Sequence, residues 1–114
     1  MQMNQNGRTV LERRYLVKDE HGENIETVEG LFRRVADAIA EADRDFDPKA
    51  DVEGLSDRFY DMMTNLEFLP NSPTLMNAGR PLGQVSACFV LPIEESMEAT
   101  FETVKNAALI HKSR

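Results

Sequence analysis

The sequence predicts an α/β fold in which a helical N-terminal region is followed by the first strand and the first helix of a larger domain. Two segments, starting at Thr27 and Val52, repeat apolar residues at the helical period. Residues 85–91 instead carry apolar side chains at nearly every position, the pattern of a strand buried on both faces. Such a strand needs a neighbour at each edge, and the sequence has no second run of this quality. We therefore expect the chain to be the opening piece of a larger domain, or to borrow strands from a partner.

The composition excludes several kinds of partner. The chain has 114 residues and a formal net charge of −7, which argues against a nucleic acid or an anionic membrane, since both are held mainly by basic surfaces. No apolar run approaches the roughly 20 residues of a membrane span, and the polar start lacks the apolar centre of a signal peptide. The single cysteine, Cys88, forms neither an internal disulfide nor a zinc site by itself, so no metal site is predicted. These observations predict a cytoplasmic protein.

The first 24 residues give weak structural patterns. We interpret residues 1–8 as a disordered leader. Residues 9–17 combine strand-forming side chains with two central arginines, and we interpret them as an extended edge segment. Residues 18–24 are rich in turn-forming side chains, and His21 among their acidic residues is interpreted as solvated rather than as a metal ligand.

Two amphipathic helices are predicted next. Thr27 is suited to cap the first, and the second extends from Val52 to about Thr64–Asn65. The aspartate-rich residues 42–51 lack the glycine and the final glutamate of a calcium-binding EF-hand loop, so we interpret them as a linker. The apolar face of the first helix comprises Val28, Leu31, Phe32, Val35, Ile39 and Ala42.

A loop rich in Pro, Asn, Ser and Gly then leads into the apolar run. Ser72 followed by Pro73 is the order of an N-cap and the first helical position, which predicts one helical turn over Pro73–Asn77, closed by Ala78 and Gly79. Hydroxyls and unpaired amides at such a turn are suited to hold a phosphate. Ser and Thr at helix starts are more often simple caps, so both interpretations stay open at this point.

The predicted strand carries Cys88 and is followed by a third helix, which Ser96 is expected to cap. A thiol buried in an apolar strand is usually inert unless a positive group lies beside it, although an undissociated thiol suits hydrogen-atom transfer. The helix after the strand supplies the βα half of a βαβ unit. The apolar face of the third helix comprises Met97, Phe101, Val104, Ala108 and His111.

Four stretches closely resemble the large catalytic chain of ribonucleotide reductases, and most of all the adenosylcobalamin-dependent class (class II). The resemblance extends over about residues 10 to 113. The four stretches are Val10-Leu-Glu-Arg-Arg-Tyr-Leu-Val17, Leu69-Pro-Asn-Ser-Pro-Thr-Leu-Met-Asn-Ala-Gly79, Ser86-Ala-Cys-Phe-Val-Leu-Pro92 and Asn106-Ala-Ala-Leu-Ile-His-Lys-Ser113.

This resemblance implies a ten-stranded α/β barrel in which the strand around Cys88 is the first. It divides the chain into the leader, a helical N-terminal region over residues 9–69, and the start of the barrel over residues 70–114. The reaction that it implies converts ribonucleotides to deoxyribonucleotides by thiyl-radical chemistry.

The resemblance also implies the roles of individual residues. Cys88 would be one of a redox-active pair that forms a disulfide as the 2′ position of the substrate is reduced. Ser72 and Thr74 would lie at the substrate phosphate or sugar, and the backbone of Ala87 and Cys88 would line the substrate.

The family pattern continues beyond the stretch that matches residues 106–113, and its thiyl cysteine, second redox cysteine and adenosylcobalamin site have no counterpart in this sequence. We therefore expect a fragment that is inactive alone and that needs the missing C-terminal portion or a complementing chain. One alternative is the large subunit of an oxygen-dependent (class I) reductase. Another is a non-enzymatic, acidic helical interaction module.

Overall fold

The computed structural model describes residues 3–113, and the structure of these residues is helical, with no strand among them. The helical part of the predicted fold is therefore confirmed, whereas the ten-stranded barrel stays a prediction. A short 3-10 helix, Ala42–Asp45, lies within the predicted linker. The five α-helices are α1 (Gln5–Arg14), α2 (Val28–Glu41), α3 (Val52–Thr64), α4 (Ser72–Asn77) and α5 (Met97–Lys112).

Helix α2 is the centre of the core. It begins as predicted, because the Thr27 hydroxyl oxygen accepts a hydrogen bond of 3.0 Å from the Gly30 amide. Most of its predicted apolar face is buried where α2 contacts α1, α3 and α4, but Ile39 is 42% exposed and Ala42, beyond the end of α2, is exposed as well. The residues of α2 that are buried are Val28, Leu31, Phe32, Val35, Ala36 and Ala40.

Helix α3 packs along α2 and has the predicted bounds, Val52–Thr64. A polar contact accompanies the apolar one, since Arg33 of α2 donates to Asp57 of α3 at 2.9 Å. The Arg33 guanidinium also lies 4.2 Å from the centroid of the Tyr60 ring, within cation–π range. Both contacts join α2 to α3.

Helix α1 corrects the interpretation of the N-terminal residues. The extended segment expected over residues 9–17 is wrong for residues 9–14, which are helical, and the helix also includes residues 5–8 of the expected leader. The Asn4 side chain caps the helix by accepting from the Gly7 amide at 2.7 Å, and two arginines lie in its last turn. Leu11 anchors it in the core. The turn predicted over residues 18–24 is confirmed, with one antiparallel bridge between Lys18 and Asn24.

The predicted strand over residues 85–91 is not formed within the described part of the chain. Val90 is 97% exposed, and Cys88, which we expected to be buried, is exposed as well. The physical reason is that residues 3–113 offer no neighbouring strand, so the apolar faces of this run have nothing to pack between.

Helix α5 lies beside this extended segment rather than in the core. The Ser96 hydroxyl caps it as predicted, accepting from the Ala99 amide at 3.0 Å, but none of its residues is buried. The radius of gyration, 17.6 Å, exceeds the roughly 13 Å of a compact chain of this length, as a projecting helix requires. Neither α5 nor any other helix described between residues 3 and 113 has the length and apolar character needed to cross a membrane.

We predict that the same substitution, Phe to Ala, will be strongly destabilising at position 32 and nearly neutral at position 46. Phe32→Ala empties a site that is fully buried and should cost about 3–5 kcal/mol, enough to unfold much of a small domain. Phe46→Ala is the matched control, because Phe46 is 88% exposed and its loss should change stability by less than about 0.5 kcal/mol. Chemical denaturation of both variants measures the difference. Equal losses would contradict the assignment of the core to α2.

We also predict a pH-dependent contribution from Glu29. Its pKa is held below the ordinary value, first by a backbone amide at the start of α2, and also by Arg8, whose guanidinium lies 3.4 Å from the carboxylate. The charged carboxylate therefore stabilises the fold above the ordinary carboxyl pKa, and this stabilisation is lost as the pH falls through the lowered value. Glu29→Gln should lower the unfolding temperature at neutral pH and have a smaller effect at acidic pH. An equal effect at both would refute this origin.

Candidate functional site

The candidate site is built on α4, whose first turn is capped by Asn71. The Asn71 side-chain oxygen accepts from the Thr74 amide at 3.2 Å and from the Thr74 hydroxyl at 2.6 Å. Our expectation that Ser72 is the cap was therefore wrong by one residue. The backbone explains the difference, because Asn71 has the extended conformation of an N-cap while Ser72 and Pro73 already belong to the helix. The Ser72 hydroxyl is consequently free of the capping role.

The Ser72 hydroxyl pairs instead with Tyr15, just beyond the end of α1. The two hydroxyl oxygens lie 2.8 Å apart, across 57 positions of sequence. The Tyr15 ring packs against the core cluster, so its hydroxyl is held at a fixed place beside α4. The start of α4 is thereby tied to α1.

The other end of α4 is tied to α2 by Arg34. Its guanidinium donates to the carbonyl oxygens of Ala78, at 2.7 Å, and Leu75, at 3.0 Å. It also forms a two-fold pair with the Glu26 carboxylate, at 2.8 and 3.1 Å. Both charged side chains are largely buried, with exposed fractions of 14% for Arg34 and 12% for Glu26. A buried guanidinium therefore satisfies carbonyls at the C-terminal end of α4.

Gly79 allows the chain to leave α4 against this guanidinium. Its φ angle is +77°, in the left-handed region that favours glycine. A Cβ atom added there would lie 3.0 Å from Cγ of Arg34. The predicted turn closed by Ala78 and Gly79 is confirmed, and glycine suits both its backbone conformation and the close approach of the Arg34 side chain.

Two hydrogen bonds connect α4 to the start of the apolar run. The Asn77 amide donates to the Gln84 carbonyl oxygen at 2.8 Å, and the Thr74 hydroxyl lies 3.4 Å from the Val85 carbonyl oxygen. The Thr74 hydroxyl has one hydrogen, and its two neighbours, the Asn71 side-chain oxygen and the Val85 carbonyl oxygen, are both acceptors. That hydrogen is therefore already engaged. The lone pairs of the Thr74 hydroxyl remain available to accept.

The structure divides the four predicted site residues into two pairs. Ser72 and Thr74 belong to α4, with Thr74 at an apolar cavity of about 440 Å³ between α2 and α3. Ala87 and Cys88 line a different cavity, of about 290 Å³, whose other wall is α5 with Ala107, Ile110 and His111. Hydrogen bonds from Thr74 and Asn77 to residues 84–85 join α4 to the run that contains the second pair. Within residues 3–113 no group of three metal-ligating side chains lies together.

The residues that hold α4 in place, Tyr15 and Arg34, were missed by sequence reasoning. Arg34 lies on an otherwise charged face of α2, and no local pattern distinguishes it from its neighbour Arg33. Tyr15 lay in the segment interpreted as extended. Its pairing with Ser72 joins two distant parts of the chain, so no periodicity reports it.

Comparison with known proteins gives one family match and several relatives. Residues 1–83 match the family described as the all-alpha domain of ribonucleotide reductase. The chain is 39% identical over 91% of its length to a vitamin B12-dependent ribonucleoside-diphosphate reductase from Thermoplasma acidophilum, and 44% identical over 92% to one from Mycobacterium tuberculosis. It is 36% identical over 94% to a ribonucleoside-diphosphate reductase large subunit from Arabidopsis thaliana. The chain spans 21%, 15% and 12% of the lengths of these three relatives.

We predict that alanine at position 79 destabilises the chain more than alanine at another glycine of similar backbone. Gly22 is the matched control, because its φ angle is +80° but, apart from its two chain neighbours, none of residues 3–113 lies within 4 Å of an added Cβ. Both substitutions should cost about 1 kcal/mol of backbone strain. Gly79→Ala should cost more because it also displaces Arg34 from the α4 carbonyls. Denaturation measures the total, and faster amide exchange in α4 of the Gly79 variant alone identifies the cause. Equal losses, with α4 protection intact, would contradict this account.

Proposed function

This chain belongs to the ribonucleotide reductase family, and we propose that it forms the N-terminal part of the catalytic chain of an adenosylcobalamin-dependent member. The reaction would convert ribonucleotides to deoxyribonucleotides by thiyl-radical chemistry. The observation that supports this class is the identity of 39% and 44% to the two relatives named vitamin B12-dependent, against 36% to the large-subunit relative. An oxygen-dependent enzyme is the second candidate. A non-enzymatic module is not favoured, since the family match extends over residues 1–83.

We propose that the chain has two functional parts. Residues 9–69 are the helical region that positions α4, and residues 70–114 are the start of a ten-stranded barrel with residues 85–91 as its first strand. The exposure of this run supports the proposal, because Phe89 is 42% and Val90 97% exposed. Neighbouring strands supplied by further residues of the enzyme, or by a complementing chain, would cover both faces.

The ribonucleotide substrate would be held by hydrogen bonds from α4 and from the run that follows it. Thr74 has lone pairs to offer, so it is suited to accept a hydrogen bond from a ribose hydroxyl. Ser72 is free of the capping role and is suited to a phosphate oxygen. The backbone of Ala87 and Cys88 would line the substrate. Recognition of this kind depends on placed hydroxyls and amides, in a chain whose net charge is −7.

Cys88 would supply one of the two thiols that reduce the substrate. In the overall step the C2′–OH bond breaks, a C2′–H bond forms and the hydroxyl leaves as water. Two thiols lose two hydrogens between them and form one S–S bond, so two electrons and two protons pass to the substrate. The second thiol belongs to a cysteine outside these 114 residues, since Cys88 is the only cysteine here. An accessible Cys88 is consistent with this role, because the thiol must meet both substrate and partner.

Adenosylcobalamin would be bound outside the residues described here. When bound, it supplies the radical that starts the reaction. Neither cavity described above suits it, because volumes of about 440 and 290 Å³ fit small ligands and not a corrin ring with its axial groups. The part of the enzyme formed by this chain would therefore contact the substrate, and other residues would bind the cofactor. We propose a cytoplasmic location for the enzyme, as expected from the sequence.

We predict that the intact reductase carrying this sequence forms deoxyribonucleotides only when adenosylcobalamin and a dithiol are supplied. Cys88→Ser should reduce multiple-turnover activity at least 1,000-fold, on the order of the loss of an essential catalytic group. Ser86→Ala is the control in the same segment, because no hydrogen bond joins its side chain to any other of residues 3–113, and it should retain most activity. The 114-residue chain alone should be inactive.

Three outcomes would contradict parts of this proposal. Turnover that needs a radical-generating subunit and not adenosylcobalamin would identify the oxygen-dependent class. Full activity of Cys88→Ser would remove Cys88 from the redox pair. A native protein that carries residues 71–92 and has an intact mass of only 12.9 kDa, with no complementing chain, would refute the assignment to a larger enzyme.

A further inference from the structure

We propose that Tyr15 is a positioning residue that turns the Ser72 hydroxyl into a hydrogen-bond donor for a phosphate oxygen of the substrate. This inference rests on the proposed function, because it assumes that α4 meets a ribonucleotide. Its structural basis is the distance of 2.8 Å between the Tyr15 and Ser72 hydroxyl oxygens. Tyr15 would not touch the substrate and would act only through Ser72.

The direction of this hydrogen bond follows from the chemistry of the two hydroxyls. Either oxygen can donate, but a phenol is more acidic than an aliphatic alcohol and is therefore the stronger donor. When Tyr15 donates, Ser72 accepts with a lone pair and keeps its own hydrogen for another partner. A hydroxyl that accepts one hydrogen bond also donates a second one more strongly, because neighbouring hydrogen bonds polarise one another. Ser72 then presents a hydrogen to an anionic oxygen.

Both members of the pair are held in place before any ligand binds. The Tyr15 ring packs against the core cluster, and the Tyr15 amide donates to the Leu11 carbonyl oxygen at 2.9 Å at the end of α1. On the other side, Asn71 caps α4 and Arg34 holds its last carbonyls. The Ser72 hydroxyl is therefore oriented without the loss of rotational freedom that binding otherwise costs.

The chemistry of α4 favours a phosphate at Ser72 rather than a sugar hydroxyl. A phosphate oxygen accepts hydrogen bonds, and Ser72 with Tyr15 as its donor has a hydrogen to give. Thr74, whose hydrogen is already engaged by Asn71, offers lone pairs and is suited to a ribose hydroxyl. The first turn of α4 thus carries one donor and one acceptor.

The test measures kcat and KM of the intact reductase for its ribonucleotide. Tyr15→Phe should raise KM roughly two- to tenfold, the loss of one uncharged hydrogen bond, and leave kcat within about twofold. Tyr60→Phe is the matched control, since Tyr60 lies on α3 and faces Arg33 of α2, and the loss of its hydroxyl should change neither constant. If Tyr15 acts only through Ser72, the double variant with Ser72→Ala should have the KM of Ser72→Ala alone.

A second measurement separates positioning from general damage to the fold. The inhibition constant of the unphosphorylated ribonucleoside should be the same for Tyr15→Phe and the unsubstituted enzyme, because no phosphate is present to contact Ser72. An unchanged KM, effects of the two substitutions that multiply, or equally weakened binding of the ribonucleoside would each overturn the inference. Absence of ribonucleotide turnover in the unsubstituted enzyme would instead refute the proposed function, and this inference with it.

Discussion

The buried ion pair between Arg34 and Glu26 is the interaction on which the candidate site depends. Removing two charges from water is costly, and the cost is offset only when the charges are paired and their remaining donors and acceptors are satisfied. Arg34 meets this condition with bonds to Glu26, Leu75 and Ala78, and Glu26 also accepts from the Val17 amide at 3.2 Å. The pair therefore joins the chain before α2, α2 itself and α4. A helix of six residues such as α4 has little stability of its own and takes its place from these partners.

The shift of the α4 cap from Ser72 to Asn71 changes the chemistry of the site more than its shape. Asn71 engages the amide and the hydroxyl of Thr74, which leaves Thr74 as an acceptor. Ser72 is released and pairs with Tyr15. Had Ser72 been the cap, its oxygen would have been directed at the helix amides and away from solvent. With the cap at Asn71 instead of Ser72, the Ser72 hydroxyl is available to a polar ligand rather than used to close the helix.

The helices that were predicted well are those specified by nearby residues, through the helical period and the capping side chains. The period of α2 and the caps Thr27 and Ser96 lie within a few positions of what they specify, and the structure has them where expected. The pairing of Tyr15 with Ser72 depends on residues 57 positions apart, so no window of sequence contains it. The strand predicted over residues 85–91 is not formed in residues 3–113 for a different reason. Its pattern describes an environment with two covered faces, and the described residues do not supply that environment.

Helix α1 rests on a single buried residue, Leu11, although it ends beside the tyrosine that contacts Ser72. A helix with so few core contacts opens locally at a lower free energy than the whole domain unfolds. On the proposed role of Tyr15, each such opening would remove the donor to Ser72 while α2 and α3 remain packed. The affinity for the nucleotide would then follow the fraying equilibrium of the N-terminal helix, and warming would weaken binding well below the melting temperature of the core.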